Sequence, residues 1–448
     1  MRGFLIAGTN SGIGKTTVSM GLMACFENVS PFKTGPDYID GKFHEYVTGN
    51  KSYNLDYFLM GEDGIRESFL KHTENFAIVE GVMGLYDGMD NSLDNGSSAH
   101  TARILNLPVI LVVDGKGKST SIAAQVMGYV NFDRRVNVAG VIINRISSEK
   151  TYKILKEAVE RYCNTKCFGY IPELKEVSVS SRHLGLMQAH EVKDLKEKIE
   201  FLKNEIKKTV DIQGIYKVSE FIPNYSLKNL FFYNKNKYKY KGLRIGIAKD
   251  SAFSFYYNDN IEFLQNTGAE IVYFSPLVDK KIPENINMLY FGGGYPEIYS
   301  EELSKNISMI NSVKDFYNKG GVIYGECGGF IYLSDKLITF SGKEYSFVGL
   351  TGNIIEMREK LDIARFGYIN IEYKENIYGR GHEFHYSKIK KEGEERKEFK
   401  IEKPNGRKWE CGFSSKNLLC GYPHIHFFKS SGIIFDLMDR ALKNKEKM

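Results

Sequence analysis

Short apolar runs that do not alternate, each stopped by a polar or glycine-rich turn, constrain this chain's fold more than any other feature. The first four are Phe4–Ala7, Phe76–Val79, Pro108–Val113 and Val138–Ile143. A strand buried on one face alternates apolar with polar; a strand covered on both faces does not, and helices flanking a parallel sheet provide that cover. The turns that stop these runs carry Gly8, Glu80, Asp114 and Asn144. Open parallel sheets bind ligands beyond the carboxyl ends of their strands, so such turns are where a site is expected. A second series follows: Leu243–Ala248, Ile271–Phe274, Met288–Phe291 and Val322–Tyr324. The predicted fold class is therefore α/β, with a parallel sheet in the first domain and a second α/β alternation after it.

The two series meet at a change in composition. Residues Val192–Val210 repeat Leu195, Ile199, Leu202, Ile206 and Val210 at three- and four-residue steps between Lys and Glu, which predicts an amphipathic helix packing one stripe on a domain. The following Phe232–Lys241 is rich in Tyr, Asn and Lys. Basic residues between aromatics can bind single-stranded nucleic acid, but this run is short and sits at the break, so it reads as a linker. The expected division is a first domain over 1–232, a linker over 233–242 and a second domain over 243–448. No internal repeat relates the halves.

The whole chain has 448 residues, room for two or three domains at ~150 residues each. With 42% hydrophobic and 26% charged residues, disorder and fibrous architectures are excluded. A net charge of +6 is a mild excess over such a length and implies neither a nucleic-acid nor a membrane partner. The six cysteines lack the paired short spacings of a disulfide framework or zinc ribbon. A reducing cytoplasm is therefore the expected compartment. The apolar run before Gly8 is too short for a signal peptide, and no later segment reaches the ~20 apolar residues a spanning helix needs. A cytoplasmic enzyme is expected.

Gly8-Thr9-Asn10-Ser11-Gly12-Ile13-Gly14-Lys15-Thr16-Thr17 links the first strand to an apolar-periodic helix. Glycines such as Gly12 and Gly14 let backbone N–H groups close around phosphate oxygens. The helix N-terminus adds positive potential, Lys15 a cation, and Thr16 a hydroxyl for Mg²⁺. The usual motif would place its first glycine at position 9; here Thr9 stands there and Gly8 precedes it, a variant that resembles dethiobiotin synthetase P-loops. Such a loop also needs an acid. Glu80 opens Glu80-Gly81-Val82-Met83-Gly84-Leu85-Tyr86-Asp87-Gly88, and its glycines permit close approach to a ligand. Lys33, Asp37, Tyr38 and Asp40 lie in another polar cluster. Two carboxylates and a lysine suit metal binding and phosphoryl transfer. An Asx turn at Gly-Pro-Asp with an ion pair fits the same residues.

Gly325-Glu326-Cys327-Gly328-Gly329 follows a strand and precedes an apolar stretch. Gly-x-Cys-x-Gly is the thiol form of the nucleophile elbow, whose helix N-terminus is expected to lower the thiol pKa. Cys25, Cys163, Cys167, Cys411 and Cys420 have no such setting and read as core residues. Phe291-Gly292-Gly293-Gly294-Tyr295-Pro296-Glu297 could supply amides for an oxyanion. The base must be a distant histidine. His424 and His426 stand two apart, so strand spacing leaves both open. His382-Glu383-Phe384-His385 is one residue short of the helical zinc motif, and a ligand-contacting or structural role fits it better.

Together these residues resemble the cobyrinic acid a,c-diamide synthase family, two-domain glutamine-dependent amidotransferases of corrinoid biosynthesis. The likeness runs nearly end to end, through GTNSGIGKTT, FKTGPDYIDGKFH, NLDYF, EGVMGLYDG, the RHLGL at Arg182–Leu186, DSAFSFYYNDN, GGGYPEIY, GECGGFIYL and GHEFHYS. It implies a dethiobiotin synthetase-like N-terminal domain and a class I glutamine amidotransferase-like C-terminal domain. ATP would phosphorylate a peripheral carboxylate of a tetrapyrrole polycarboxylate on the first. Gly12, Gly14, Lys15, Thr16 and Thr17 would bind ATP, with Mg²⁺ on Thr16, Glu80 and Asp37. Lys33, Asp37, Tyr38, Asp40 and Asp87 would orient the acyl phosphate. On the second domain, Cys327 would attack L-glutamine with His424, at the family's Tyr-x-His position, as base, and Gly293, Gly294 and Gly328 would bind glutamine and the oxyanion. Ammonia would reach the acyl phosphate by a sheltered passage. Ordinary class I enzymes place Glu two residues after the histidine. His426 stands there instead, which leaves a dyad and a triad both open, and ammonia could replace glutamine as donor. The resemblance also leaves open hydrogenobyrinate, Ni-sirohydrochlorin or cobyric acid side chains as substrate, and a homodimer. A partition-type ATPase switch shares the P-loop but has no use for the thiol elbow.

Overall fold

The computed structural model describes residues 1–174, 194–223, 232 and 236–445, which fall into two compact units, Met1–Asn229 and Leu230–Met448. The Arg182–Leu186 motif lies outside the described residues. In the first unit seven strands form one parallel sheet: β1 (Arg2–Gly8), β2 (Val29–Thr34), β3 (Tyr53–Leu55), β4 (Phe76–Gly84), β5 (Val109–Asp114), β6 (Val138–Ile146) and β7 (Cys167–Pro172). Their order is β3-β2-β4-β1-β5-β6-β7. The lack of alternation has its cause here. Leu5, Ala7, Val79 and Leu111 face one apolar cluster, while Phe4, Ile6, Ile78 and Val112 face the other. Each large side chain so buried contributes about 1.5–3 kcal/mol.

Register decides which turns share a neighbourhood. Ile6 pairs with Glu80 and Gly8 with Gly84 between β1 and β4, and Lys33 pairs with Glu80 between β2 and β4. The phosphate loop, the Glu80 loop and Lys33 therefore emerge side by side at the sheet's carboxyl edge. Helix α1 (Lys15–Cys25) follows β1, and α2 (Ile39–Thr48) follows β2. The amphipathic segment is a helix over Leu195–Thr209 that buries Leu195, Leu202 and Ile206. It packs on α1 at Gly21, where a Cβ would lie 2.2 Å from Ile206 Cδ1.

The second unit's main sheet is mixed. Strands β8 (Arg244–Ala248), β9 (Glu270–Phe274), β10 (Met288–Phe291) and β11 (Val322–Glu326) answer the four predicted runs. Further strands follow: β12 (Lys336–Ile338), β13 (Glu344–Ser346), β14 (Ile354–Met357), β15 (Gly367–Tyr373), β16 (Ile377–Glu383), β17 (Ser387–Lys391), β18 (Arg396–Glu402), β19 (Lys408–Ser414), β20 (Leu418–Gly421) and β21 (His424–Ile425). The large sheet runs β21-β16-β15-β18-β19-β20-β11-β10-β8-β9, parallel from β20 to β9 and antiparallel from β20 to β21. A small sheet, β13-β12-β14-β17, lies apart from it. β11 brings the thiol elbow to the middle, and β21 brings His424 back beside β16.

Candidate active sites

The phosphate loop closes through backbone that only glycine adopts easily. Gly12 has φ +73° and Gly14 φ +94°, and a Cβ on Gly14 would lie 2.4 Å from Asn144 Nδ2. Asn144, at the end of β6, donates to Ile13 O at 2.7 Å, and Arg145 donates to Gly12 O at 2.6 Å, so the loop is pinned from outside. Lys15 Nζ reaches across it to Asn10 O (3.2 Å) and Met83 O (2.5 Å). Burial, then the charge of Lys33, lowers its pKa. Among the described residues its ammonium bonds only backbone carbonyls, which leaves it positioned for an incoming anion. Thr17 follows in the first turn of α1.

Glu80 is the centre of the charge network. Its Oε1 accepts from Thr16 Oγ1 at 2.7 Å and lies 3.4 Å from Lys33 Nζ; its Oε2 lies 2.6 Å from His44 Nε2. Burial would raise this carboxyl, but Lys33, His44 and Thr16 outweigh it and hold it well below the usual range. Lys33 in turn pairs with Asp40 at 3.1 Å and donates to Gly81 O at 2.8 Å. Burial would lower Lys33; the Glu80 and Asp40 carboxylates push it upward instead. Burial, then the charges of Asp37 and Glu80, raises Asp40 against the pull of Lys33.

Of the acids expected here, Asp40 and Glu80 join the network directly. Asp37 turns Oδ1 back to the Ile39 N–H at 2.6 Å, the Asx-turn arrangement at the start of α2, next to the buried Tyr38. Asp87 accepts from Gly84 N at 2.9 Å and so also shapes its own loop. Mg²⁺ takes hard oxygens and needs one or two carboxylates, completing its shell with phosphate and water. The Thr16 hydroxyl and Glu80 carboxylate fit that demand. Among the described residues no group of three or more His, Cys, Asp or Glu could cage a metal. His44, fully buried against Glu80, and Asn144 were not singled out as site residues from sequence. His44 stood inside the FKTGPDYIDGKFH motif, but a helical histidine facing the core has no local signature.

At the elbow, Cys327 has φ +44° and ψ −97°, a strained conformation for a residue with a Cβ. Its N–H donates to Gly421 O at 2.8 Å and its O accepts from Ile331 N at 2.9 Å, which fixes the turn between β11 and the helix Gly328–Leu333. A Cβ on Gly328 would lie 2.9 Å from Gly294 N, so the oxyanion candidates of the two loops meet beside the thiol. The expected lowering of the thiol pKa is not what this environment does. Burial, then the carboxylates of Glu297, Glu383 and Glu326, pushes Cys327 upward, against a weaker opposing bond from the Gly328 amide. A six-residue helix is a small dipole beside three acids. Cys327 rests as a thiol, and any attack by its sulfur needs a base to take the proton.

His424, the base expected from sequence, lies against the glycine loop. A Cβ on Gly293 would lie 2.3 Å from His424 Cε1, which is why the oxyanion loop must be glycine there. Burial, then the charges of His382 and His385, lowers the pKa of His424, so it rests neutral and can accept a proton. His426 does not share its side, because β21 ends at Ile425 and the next residues enter the helix Phe427–Lys445. His426 Nε2 instead lies 3.7 Å from Asp259 Oδ2. Asn260 ties this segment down, donating to Ile425 O (2.9 Å) and accepting from Phe427 N (2.8 Å). His382 stacks on His424 with centroids 5.0 Å apart and hydrogen-bonds Tyr257 at 2.7 Å; His385 stacks on Tyr422 at 3.7 Å. Tyr256 supports the glycine loop by accepting from Gly292 N at 2.8 Å. The GHEFHYS and DSAFSFYYNDN motifs thus hold the histidine and the glycine loop in place.

Comparison with known proteins identifies both domains. Residues 4–187 match the CobQ/CobB/MinD/ParA nucleotide binding domain, and 244–432 match the CobB/CobQ-like glutamine amidotransferase domain. A cobyrinate a,c-diamide synthase of Fusobacterium nucleatum is 55% identical over 437 residues, covering 96% of this chain and 98% of that one. The chain belongs to the cobyrinate a,c-diamide synthase family. Relatives of the same name from Clostridium tetani and Caldanaerobacter subterraneus are 42% and 41% identical, each over 98% of this chain and 100% and 98% of theirs. Membership removes the ATPase-switch alternative, because the amidotransferase domain has no part in it. Among the described residues no helix is long and apolar enough to cross a membrane.

Proposed function

We propose that the chain amidates the a and c carboxylates of cobyrinate, activating each with ATP and taking nitrogen from glutamine. It is a glutamine-dependent amide ligase. The observation that carries the reading is the presence, in one member of this family, of the Lys15–Thr16–Glu80–Lys33 cluster and of a strained Cys327 turn and a neutral His424 that meet the same glycine loop. In the first unit Lys15 and the loop amides hold the phosphates. Thr16 and Glu80, with Asp37 nearby, are the residues that would hold Mg²⁺, which when bound neutralises phosphate charge. A carboxylate oxygen of the tetrapyrrole attacks the γ-phosphorus; the bond from that phosphorus to ADP breaks and an acyl phosphate forms. Lys33, Tyr38, Asp40 and Asp87 line this end of the sheet and orient that group. Ammonia then attacks the acyl carbon and phosphate leaves.

In the second unit the Cys327 proton passes to His424 as sulfur attacks the glutamine amide carbon. The amides of Gly293, Gly294 and Gly328 receive the oxyanion. His424 returns the proton to the departing nitrogen, ammonia leaves, and water cleaves the glutamyl thioester. Mass spectrometry after incubation with cobyrinate, ATP, Mg²⁺ and glutamine tests this: two carboxylates are expected to become amides. Unchanged cobyrinate, with amidation of a nickel tetrapyrrole in its place, would overturn the substrate assignment.

A further inference from the structure

The position where ordinary class I glutaminases carry their third residue is His426 here, and it faces Asp259. Another carboxylate lies on the correct side of His424. Glu326 Oε2 is 4.0 Å from His424 Nδ1, and both side chains are 2% exposed. Burial raises the pKa of this carboxyl to about 7, against three donors that favour its ionised form and hold it in place. Tyr324 donates to Oε1 at 2.8 Å, Ile425 N to Oε1 at 3.2 Å, and Tyr290 to Oε2 at 3.1 Å. Ile425 directly follows His424, and Glu326 directly precedes Cys327, so a single carboxylate is tied to both partners of the pair. Neighbouring acids are committed elsewhere: Glu383 to His385 at 3.3 Å, and Asp259 to His426.

We propose that Glu326 is the positioning residue of the glutaminase, accepting the Nδ1–H of His424 so that Nε2 presents its lone pair to the Cys327 thiol. The separation is too long for a hydrogen bond at rest, and contacts of this type shorten when substrate is bound. When the thiol proton moves to Nε2, the new imidazolium faces a carboxylate across Nδ1; when Nε2 gives that proton to the leaving nitrogen, the imidazole is neutral again. Glu326 itself exchanges no proton. The role rests on the ligase reading above and moves the third member from after the histidine to before the cysteine. Three donors to its oxygens and a β-strand on which the nucleophile also rides make the arrangement rigid without help from position 426.

Glu326→Gln tests it. Glutamine hydrolysis is expected to fall about 100-fold or more in kcat, with KM for glutamine changed less than about threefold, because orientation is lost and binding is not. Amidation driven by ammonium salts should persist, and Glu326→Asp should recover part of kcat. A Glu326→Gln enzyme with undiminished kcat, or one that loses KM and kcat together, overturns the assignment. If that variant fails to show a cooperative thermal transition, Tyr290→Phe and Tyr324→Phe, which remove donors to the same carboxylate, decide: a fall in kcat at constant KM supports the role, and unchanged hydrolysis in both rejects it. Failure of the ligase reading itself would look different, as no ammonia-driven amidation even by the unaltered enzyme.

Discussion

Cys327 shows how far a residue type can be read and where environment takes over. The flanking glycines mark it as a nucleophile, yet burial and three carboxylates hold it protonated, which no local pattern of letters records. Because the folded thiol titrates above its free value, its thiolate fraction should climb about tenfold per pH unit through the alkaline range. Iodoacetamide labelling of the substrate-free enzyme should therefore accelerate continuously from pH 7 to 9; a rate already level below pH 7 would indicate a thiolate–imidazolium pair at rest. Glu80 is the opposite case. Its folded pKa is depressed, so its contribution to stability is fully present above the unfolded value of ~4.3 and is lost as pH falls through the folded one. Glu80→Gln should lower the free energy of unfolding at pH 7 by about 3–5 kcal/mol, as for a broken buried pair. The gap to the unaltered chain should narrow on acidification below pH ~4; a constant gap would mean the charge is irrelevant. In sequence Lys33, Asp37 and Asp40 read as one polar cluster and Glu80 as the acid of a separate loop. The competing metal and turn readings of that segment needed coordinates, which give Asp40 to Lys33 and Asp37 to its own helix start.

Elements with uniform runs were easy to read, and those at sheet margins were not. β1, β4, β5 and β6 have continuous apolar runs because both faces are covered. β2 was missed because Val29-Ser30-Pro31-Phe32-Lys33-Thr34 spends half its positions on residues that serve the site or interrupt the ladder. The antiparallel strands were missed for another reason. In β15 the buried Ile369, Ile371 and Tyr373 alternate with more exposed residues, a period-two signal that continuous-run reading passes over. The β11-to-helix turn stores strain at the nucleophile, which backbone of this kind holds at a cost on the order of 1–3 kcal/mol. Cys327→Gly releases it, whereas Cys327→Ala retains it and loses the same sulfur. Thermal unfolding should find the glycine variant at least as stable as the alanine one, although glycine elsewhere costs ~0.5–1 kcal/mol. A clearly less stable glycine variant would show that the turn is not strained.

At the scale of the molecule, the change in composition near residue 232 and the two unrelated motif sets announced two units, and the division at Asn229/Leu230 lies close to that break. In the proposed reaction one sulfur frees nitrogen, and one phosphate-bearing acid receives it. The proposed roles can be separated. Lys15→Ala should abolish amidation from either nitrogen source while leaving glutamine hydrolysis measurable, and Cys327→Ala should do the reverse, losing hydrolysis and keeping ammonia-driven amidation. The most direct measurement gives the enzyme cobyrinate, ATP, Mg²⁺ and glutamine labelled with ¹⁵N at its amide, and reads the product by mass spectrometry. Both new amides should carry ¹⁵N, with none formed by Lys15→Ala, and by Cys327→Ala only when ammonium is supplied. Labelled product from Cys327→Ala with glutamine as the sole nitrogen source, or unlabelled product from the unaltered enzyme, would contradict the transfer.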